Sequence, residues 1–315
     1  MIEAEHLTKY YGPFKAIEDV SFTIGKGEVV GFLGPNGAGK TTTMRILCGF
    51  IPPSEGTARV AGFDILHSSL QARRHIGYLP ETVPLYRDMT VASYLRFFGK
   101  IRGMPRRGLE NRVKEVMALC RIDGYARTQV SKLSKGYRQL VGVAQAVLHE
   151  PDVLILDEPT IGIDPRQVVQ IRQLIKDLGR EHTVILSSHI LHEISIICER
   201  VMIMHQGRIV AADRTDNLSE RLKGSQRIEL EVKGPAGEIR ARLAGVKGVF
   251  KVTDQGRTDP RLYVVECAPR QDIRDELASA VVSAGFSLLG LKATEMSLEE
   301  IFIQLTTKDK AEPDA

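Results

Sequence analysis

The stretch Gly34-Pro35-Asn36-Gly37-Ala38-Gly39-Lys40-Thr41 leaves this chain little freedom in its fold. It follows the apolar run Val29-Val30-Gly31-Phe32-Leu33 and precedes a helical run through Thr43, Met44, Ile46 and Leu47. Strand, glycine-rich turn and helix in that order form the G-x-x-x-x-G-K-[ST] phosphate loop. Its glycines let the backbone wrap closely, so that N–H groups and the positive end of the helix face a β-phosphate. Lys40 is placed to neutralise β and γ oxygens, and Thr41, with Thr42 beside it, to offer a hydroxyl to Mg²⁺. A turn that only joined strand to helix would need neither lysine nor threonine at these offsets. Kinases, GTPases and many ATPases share the loop, so alone it says nucleotide and no more.

From Ile2 to about Asn217 short apolar runs alternate with helical segments, as in an α/β protein with a largely parallel sheet. Val29 to Leu33, Val153-Leu154-Ile155-Leu156 and Val184-Ile185-Leu186 read as strands covered on both faces. Ligands collect beyond the carboxyl ends of such strands, so the residues just after these runs are expected in one crevice. Between roughly Leu85 and Leu148 the periodicity turns helical, which predicts a helical insertion, with Gly103, Pro105 and Gly108 marking a turn between helices.

Asp157 and Glu158 end the second of these runs, where buried charge is costly without a cation or ligand. Asp157 is placed to hold Mg²⁺ through its water shell, and Glu158 to orient and deprotonate an attacking water. Without the phosphate loop, two carboxylates leaving a strand for solvent would be the simpler account. His189 comes after Val184 to Leu186 through Ser187-Ser188, a position suited to a γ-phosphate contact, although a lone histidine is more often a surface or core residue. Leu133-Ser134-Lys135-Gly136-Tyr137-Arg138-Gln139 opens an apolar helix, and there Ser134 alone reads as a helix cap.

After Asp216 the composition changes to alternating segments, Ile228, Leu230, Val232 and then Leu262, Val264, which predicts a second, smaller α+β domain over about 225–307. Its helix places Ile273, Leu277 and Val281 on one face, and an apolar strand comes next from Phe286 to Leu291. A last helix is expected from Ser297, capped with Glu300 and burying Leu298, Ile301, Phe302 and Leu305, before a frayed tail over 308–315.

Composition excludes several classes. The 315 residues carry 43 basic and 39 acidic side chains for a net charge of +4, which makes no case for nucleic acid as a partner. No apolar run approaches the roughly 18 to 20 residues that span a bilayer, and the start Met1-Ile2-Glu3-Ala4-Glu5-His6 is too polar and acidic for a secretory signal. A cytoplasmic location is therefore expected. Cys48, Cys120, Cys198 and Cys267 lie far apart without paired spacing, so neither a zinc site nor a disulfide framework is expected.

Together these residues resemble the ATP-binding subunits of ABC transporters over about Ile2 to Leu218, with the helical insertion at about 85–148. Gly34 to Thr41 matches the Walker A loop, Leu133 to Gln139 the family signature and Val153 to Glu158 the Walker B strand. Gly162-Ile163-Asp164 matches the D-loop and His189 the switch histidine. The resemblance implies the P-loop NTPase fold of ABC ATPases, ATP and Mg²⁺ as cofactors, Tyr11 stacked on adenine, and Ser134 and Gly136 on the γ-phosphate of a nucleotide held by a second subunit. It therefore implies a homodimer or heterodimer, membrane-spanning permeases on separate chains, and a place on the cytoplasmic face of the plasma membrane. The coupling surface would lie near Glu81 and the helical region after Pro84.

Two departures stand out. Glu81, in Gly77-Tyr78-Leu79-Pro80-Glu81, replaces the family's glutamine and could still approach Mg²⁺, while adding negative charge near the phosphates. Lys135 and Tyr137 replace the usual glycine and glutamine of the signature. The Lys-Gly-Tyr-Arg-Gln form, Glu81 and the ending Ser297-Leu298-Glu299-Glu300-Ile301-Phe302 are most similar to exporters of the drug, polysaccharide and gliding-motility type. A soluble ABC ATPase acting on ribosomes or DNA is the alternative, but such proteins usually carry two cassettes or a long coiled-coil insertion. A small-molecule kinase would leave Leu133 to Gln139 and His189 without a purpose.

Overall fold

The computed structural model describes residues 1–215, 217, 226–255, 259–267 and 272–294. The chain divides into two compact units, Met1–Thr215 and Asp216–Ala315.

The first unit opens with a long hairpin, β1 (Ile2–Tyr11) and β2 (Phe14–Ile24), and continues through β3 (Val29–Leu33) into helix α1 (Lys40–Leu47). Strands β4 (Glu55–Val60) and β5 (Phe63–Asp64), helix α2 (Ser69–Arg74) and strand β6 (Ile76–Leu79) come after it. Three helices come next, α3 (Val91–Ile101), α4 (Arg106–Leu119) and α5 (Lys135–Val147). Strand β7 (Val153–Leu156), helix α6 (Pro165–Leu178), strand β8 (Thr183–Ser188), helix α7 (Leu191–Ile197) and strands β9 (Arg200–His205) and β10 (Arg208–Arg214) complete the unit.

Two sheets form from these strands. One has the order β10-β9-β3-β8-β7-β6 and is parallel except for β10. Every residue of β3, β7 and β8 is buried, which is why these runs lack polar alternation. Because β8 lies between β3 and β7, with Leu33 opposite Ser188 and Leu186 opposite Leu156, three carboxyl ends sit side by side. The other sheet, β2-β1-β4-β5, has only antiparallel pairs. The sequence reading of one largely parallel α/β arrangement did not separate it, although Ile2 and Ala4 buried against exposed Glu3 and Glu5 carry the period-two signature of a half-covered strand. Apolar side chains of both sheets join α1 in one core that includes Ile17, Val30, Phe32, Met44 and Leu47.

Between β6 and β7 lie the three helices α3, α4 and α5. Thr90 caps α3 by accepting from the Ser93 N–H at 3.3 Å, and Val91, Tyr94 and Leu95 bury one face. The expected turn around Gly103 and Gly108 is present, both with positive φ, and it interrupts the start of α4 at Arg107 and Gly108. All four cysteines are buried, and none is in a disulfide among the described residues.

The second unit has the order β11 (Gln226–Lys233), α8 (Ala236–Ala244), β12 (Val249–Asp254), β13 (Arg261–Cys267), α9 (Arg274–Ser283) and β14 (Ser287–Thr294). Its antiparallel sheet runs β12-β13-β11-β14, a βαββαβ ferredoxin-like arrangement. Ile273, Leu277 and Val281 are fully buried, on the single face that their spacing predicts. In β13 the phase differs from the sequence reading: Tyr263, Val265 and Cys267, not Leu262 and Val264, join the core with Ile228, Leu230 and Val232. The helix expected from Ser297 and the tail over 308–315 lie outside the described residues.

Candidate nucleotide site

The loop after β3 is clasped by its surroundings. A Cβ at Gly34 would fall 2.3 Å from the Met204 carbonyl oxygen on β9, and Gly39, at φ +102°, would place one 2.9 Å from the Ala16 carbonyl oxygen. Glycine at both positions lets the loop lie against β2 and β9 and turn directly into α1.

Lys40, the first residue of α1, is 5% exposed. Its Nζ donates to the carbonyls of Gly34 at 2.7 Å and Pro35 at 3.2 Å and lies 3.4 Å from Glu158 Oε1. Beyond β7, Asp157 is fully buried; its Oδ1 accepts from Thr41 Oγ1 at 3.1 Å and from Ser187 Oγ at 2.7 Å. Ser187 Oγ in turn accepts the Glu158 N–H at 2.8 Å. Glu158 has a φ of 46°, in the left-handed region that a non-glycine residue rarely adopts, and this bonded backbone holds it there. Nδ1 of His189 lies 3.0 Å from Glu158 Oε2. The loop, both carboxylates and the histidine, each placed just beyond one of the three buried strands, therefore converge.

One atom of this cluster asks for a further partner. Asp157 Oδ2 is buried with no hydrogen-bond partner among the described residues, beside the Thr41 hydroxyl. A carboxylate and a hydroxyl are the hard oxygen donors that suit a small divalent cation. Behind them, burial pushes the Cys48 thiol well up, with the Asp157 charge adding to it, so Cys48 stays a protonated core residue.

The open side of the cluster is a cleft of about 310 Å³ bordered by Tyr11, Phe14, Ala16, the loop from Asn36 to Thr42, Glu81, Glu158 and Ile161. Tyr11 and Phe14 face each other across the β1–β2 turn and are 45% and 62% exposed, a pair of aromatic faces open to a flat ligand. Phe14 and Ile161 are absent from the sequence reading, and Ser187 has no role in it. An exposed aromatic three residues after Tyr11 was a legible hint of the first, but nothing in the sequence singles out one serine of Ser187-Ser188.

Ser134 and Gly136 do not border this cleft. Ser134 caps α5, accepting the Tyr137 N–H at 3.3 Å, and lies 3.5 Å from Nε2 of Gln167 on α6. A Cβ at Gly136 would collide with Gln167 Oε1 at 1.9 Å, so the glycine makes room for α6. The signature and the nucleotide loop are thus separate features of one chain.

Residues 17–161 match the family model described as ABC transporter. The linearmycin resistance ATP-binding protein LnrL of Bacillus subtilis (strain 168) is 32% identical over 97% of this chain and 98% of its own length. The bacitracin transport ATP-binding protein BcrA of Bacillus licheniformis is 31% identical over 97% of each. Among solved structures, an ATP-binding subunit of an ABC transporter superposes with a TM-score of 0.64 at 29% identity, covering 70% of this chain and 92% of that one. Relatives 32% and 31% identical along nearly the whole chain place this protein in the ATP-binding subunits of ABC transporters.

Proposed function

We propose that this chain drives an exporter of antibiotic-like compounds, hydrolysing ATP at the Lys40–Asp157–Glu158–His189 cluster. Members of this family work with membrane permeases and pair with one another. The observation that carries the residue assignment is the convergence of Lys40 and His189 on the two oxygens of one buried carboxylate, at 3.4 and 3.0 Å. The reading of cargo rests on the names of LnrL and BcrA and on the Lys-Gly-Tyr-Arg-Gln form of the signature.

In this reading the adenine stacks on Tyr11, and the N–H groups from Gly34 to Thr42 hold the phosphates. Lys40 exchanges its loop carbonyls for β and γ oxygens. Thr41 and Asp157 would hold Mg²⁺, and Glu81, which borders the same cleft, would add a carboxylate to its surroundings. Mg²⁺ held there would supply positive charge against the negative charge that develops on the phosphate. Glu158 accepts a proton from the attacking water, and His189 fixes the carboxylate and contacts the γ-phosphate. Ser134 and Gly136 meet the nucleotide of a paired subunit, so ATP draws two subunits together and hydrolysis releases them. That motion reaches separate membrane-spanning chains at the cytoplasmic face, through the surface near Glu81 and the helices after Pro84.

Isolation of the tagged chain from detergent-solubilised membranes tests this. Stoichiometric recovery of a membrane-spanning partner is expected; recovery only with ribosomes or DNA would overturn the transporter assignment.

A further inference from the structure

A second buried charge lies beside the site without touching the nucleotide cleft. Glu193, on α7, is 7% exposed. Its Oε1 pairs with Arg172 on α6 at 2.9 Å, and its Oε2 accepts from Thr160 Oγ1 at 2.5 Å and from Ser188 Oγ at 3.4 Å. Ser188 Oγ also accepts the Ile190 N–H at 3.0 Å, which fixes the backbone on the far side of His189.

The places that these bonds reach are informative. Thr160 lies two residues after Glu158, Ser188 lies directly before His189, and Arg172 belongs to the helix that Asp164 caps by accepting the Arg166 N–H at 2.9 Å. One carboxylate therefore ties together the segments that carry the base, the histidine and the D-loop. Arg172 Nε is buried with no hydrogen-bond partner among the described residues, so the pair leaves a hidden donor unused there. A buried ion pair gives little net stability over apolar side chains of the same size, whereas it fixes geometry. Glu158 needs such fixing, because its left-handed backbone relaxes unless both flanks are held; Ser187 holds one and Thr160 the other.

We propose that Arg172 and Glu193 form a positioning pair that keeps the Glu158 carboxylate and His189 in contact and so sets the hydrolysis step without contributing to ATP binding. The proposal rests on the reading of Glu158 as the base. Loss of the pair lets the segments after β7 and β8 move apart, and a base displaced by an ångström loses about 100-fold in rate.

The test is steady-state ATP turnover of the full chain carrying Glu193→Gln, Arg172→Met or Arg172→Lys, with binding of a fluorescent ATP analogue and thermal unfolding measured on the same samples. Glu193→Gln and Arg172→Met are expected to lower kcat by about 10- to 100-fold with KM and analogue binding within twofold of the parent. Arg172→Lys, which can still donate to Oε1, is expected to recover most of kcat. An unchanged kcat in Glu193→Gln, a loss that falls on KM and analogue binding, or Arg172→Lys as slow as Arg172→Met would overturn the proposal. Glu158→Gln is run in parallel. If it turns over ATP normally, the base assignment has failed; if it is inactive while Glu193→Gln is normal, only the positioning pair has failed.

Discussion

Nδ1 of His189 and Oε2 of Glu158 stand 3.0 Å apart, although 31 residues separate them in the chain. The contact exists because β7 and β8 are hydrogen-bonded neighbours of one parallel sheet, so the residues leaving one strand meet the residues leaving the other. It gives the carboxylate a fixed direction.

Replacing that carboxylate with an amide of the same shape should keep the nucleotide and stop the reaction. For Glu158→Gln we expect kcat to fall by about 10² to 10⁴ while ATP still binds, since the amide keeps the contacts and loses only the basic oxygen. Single-turnover hydrolysis beside equilibrium ATP binding separates the two. Parental turnover would remove Glu158 from the role of base.

Glu81 borders the same cleft. If it helps to hold the cation, Glu81→Gln weakens that attraction, and the Mg²⁺ concentration for half-maximal turnover rises by about three- to tenfold. A Mg²⁺ titration at saturating ATP measures this, and an unchanged midpoint would assign Glu81 no metal role.

Gly77, in β6, supports the site from behind. A Cβ there would fall 2.2 Å from the Ala146 carbonyl oxygen on α5 and 2.8 Å from Leu154 Cδ2 on β7. Because the first of these is backbone, the helix must move away from the sheet. Gly77→Ala is therefore expected to destabilise the first unit by about 1–3 kcal/mol, read as a lower denaturation midpoint in urea.

Acid should weaken the fold before it titrates any ordinary carboxylate. Burial pushes the His149 imidazole from 6.5 down to about 4, with the Arg102 guanidinium beside it adding to the shift and Arg112 and His182 facing it as well. Its Nε2 lies 3.1 Å from the Ile76 carbonyl oxygen, a contact that assigns the proton to Nε2, while Nδ1 is buried without a partner among the described residues. Between about 6.5 and about 4 the unfolded chain binds a proton that the fold refuses, so stability rises with pH across that window and levels off above it. His149→Gln, which can keep the bond to Ile76, should flatten the dependence of melting temperature on pH there.

The features legible in the sequence had strong local causes. Strands β3, β7 and β8 show as uninterrupted apolar runs because they are buried on both faces, and the loop before α1 shows because lysine and threonine have no other reason to stand after those glycines. Strand β13 misled because its two faces are both apolar: Leu262 and Val264 alternate as well as Tyr263 and Val265, and only pairing with Ile228 and Leu230 decides which set faces the helices. Ser187 and Glu193 were invisible for another reason. A serine or a glutamate has no pattern of its own, and each matters through partners about thirty positions away for Ser187 and Asp157, and as far for Glu193 and Thr160.

The cap on α5 has a consequence for charge selection. Ser134 Oγ accepts from the Tyr137 N–H and faces the Gln167 amide, so both of its lone pairs are engaged before anything arrives. Only the hydroxyl hydrogen remains on offer. A cation approaching that helix end finds an oxygen already engaged by two N–H groups, whereas an oxyanion can accept the hydroxyl hydrogen. The fold has thus given the side chain a polarity that serine does not possess by itself.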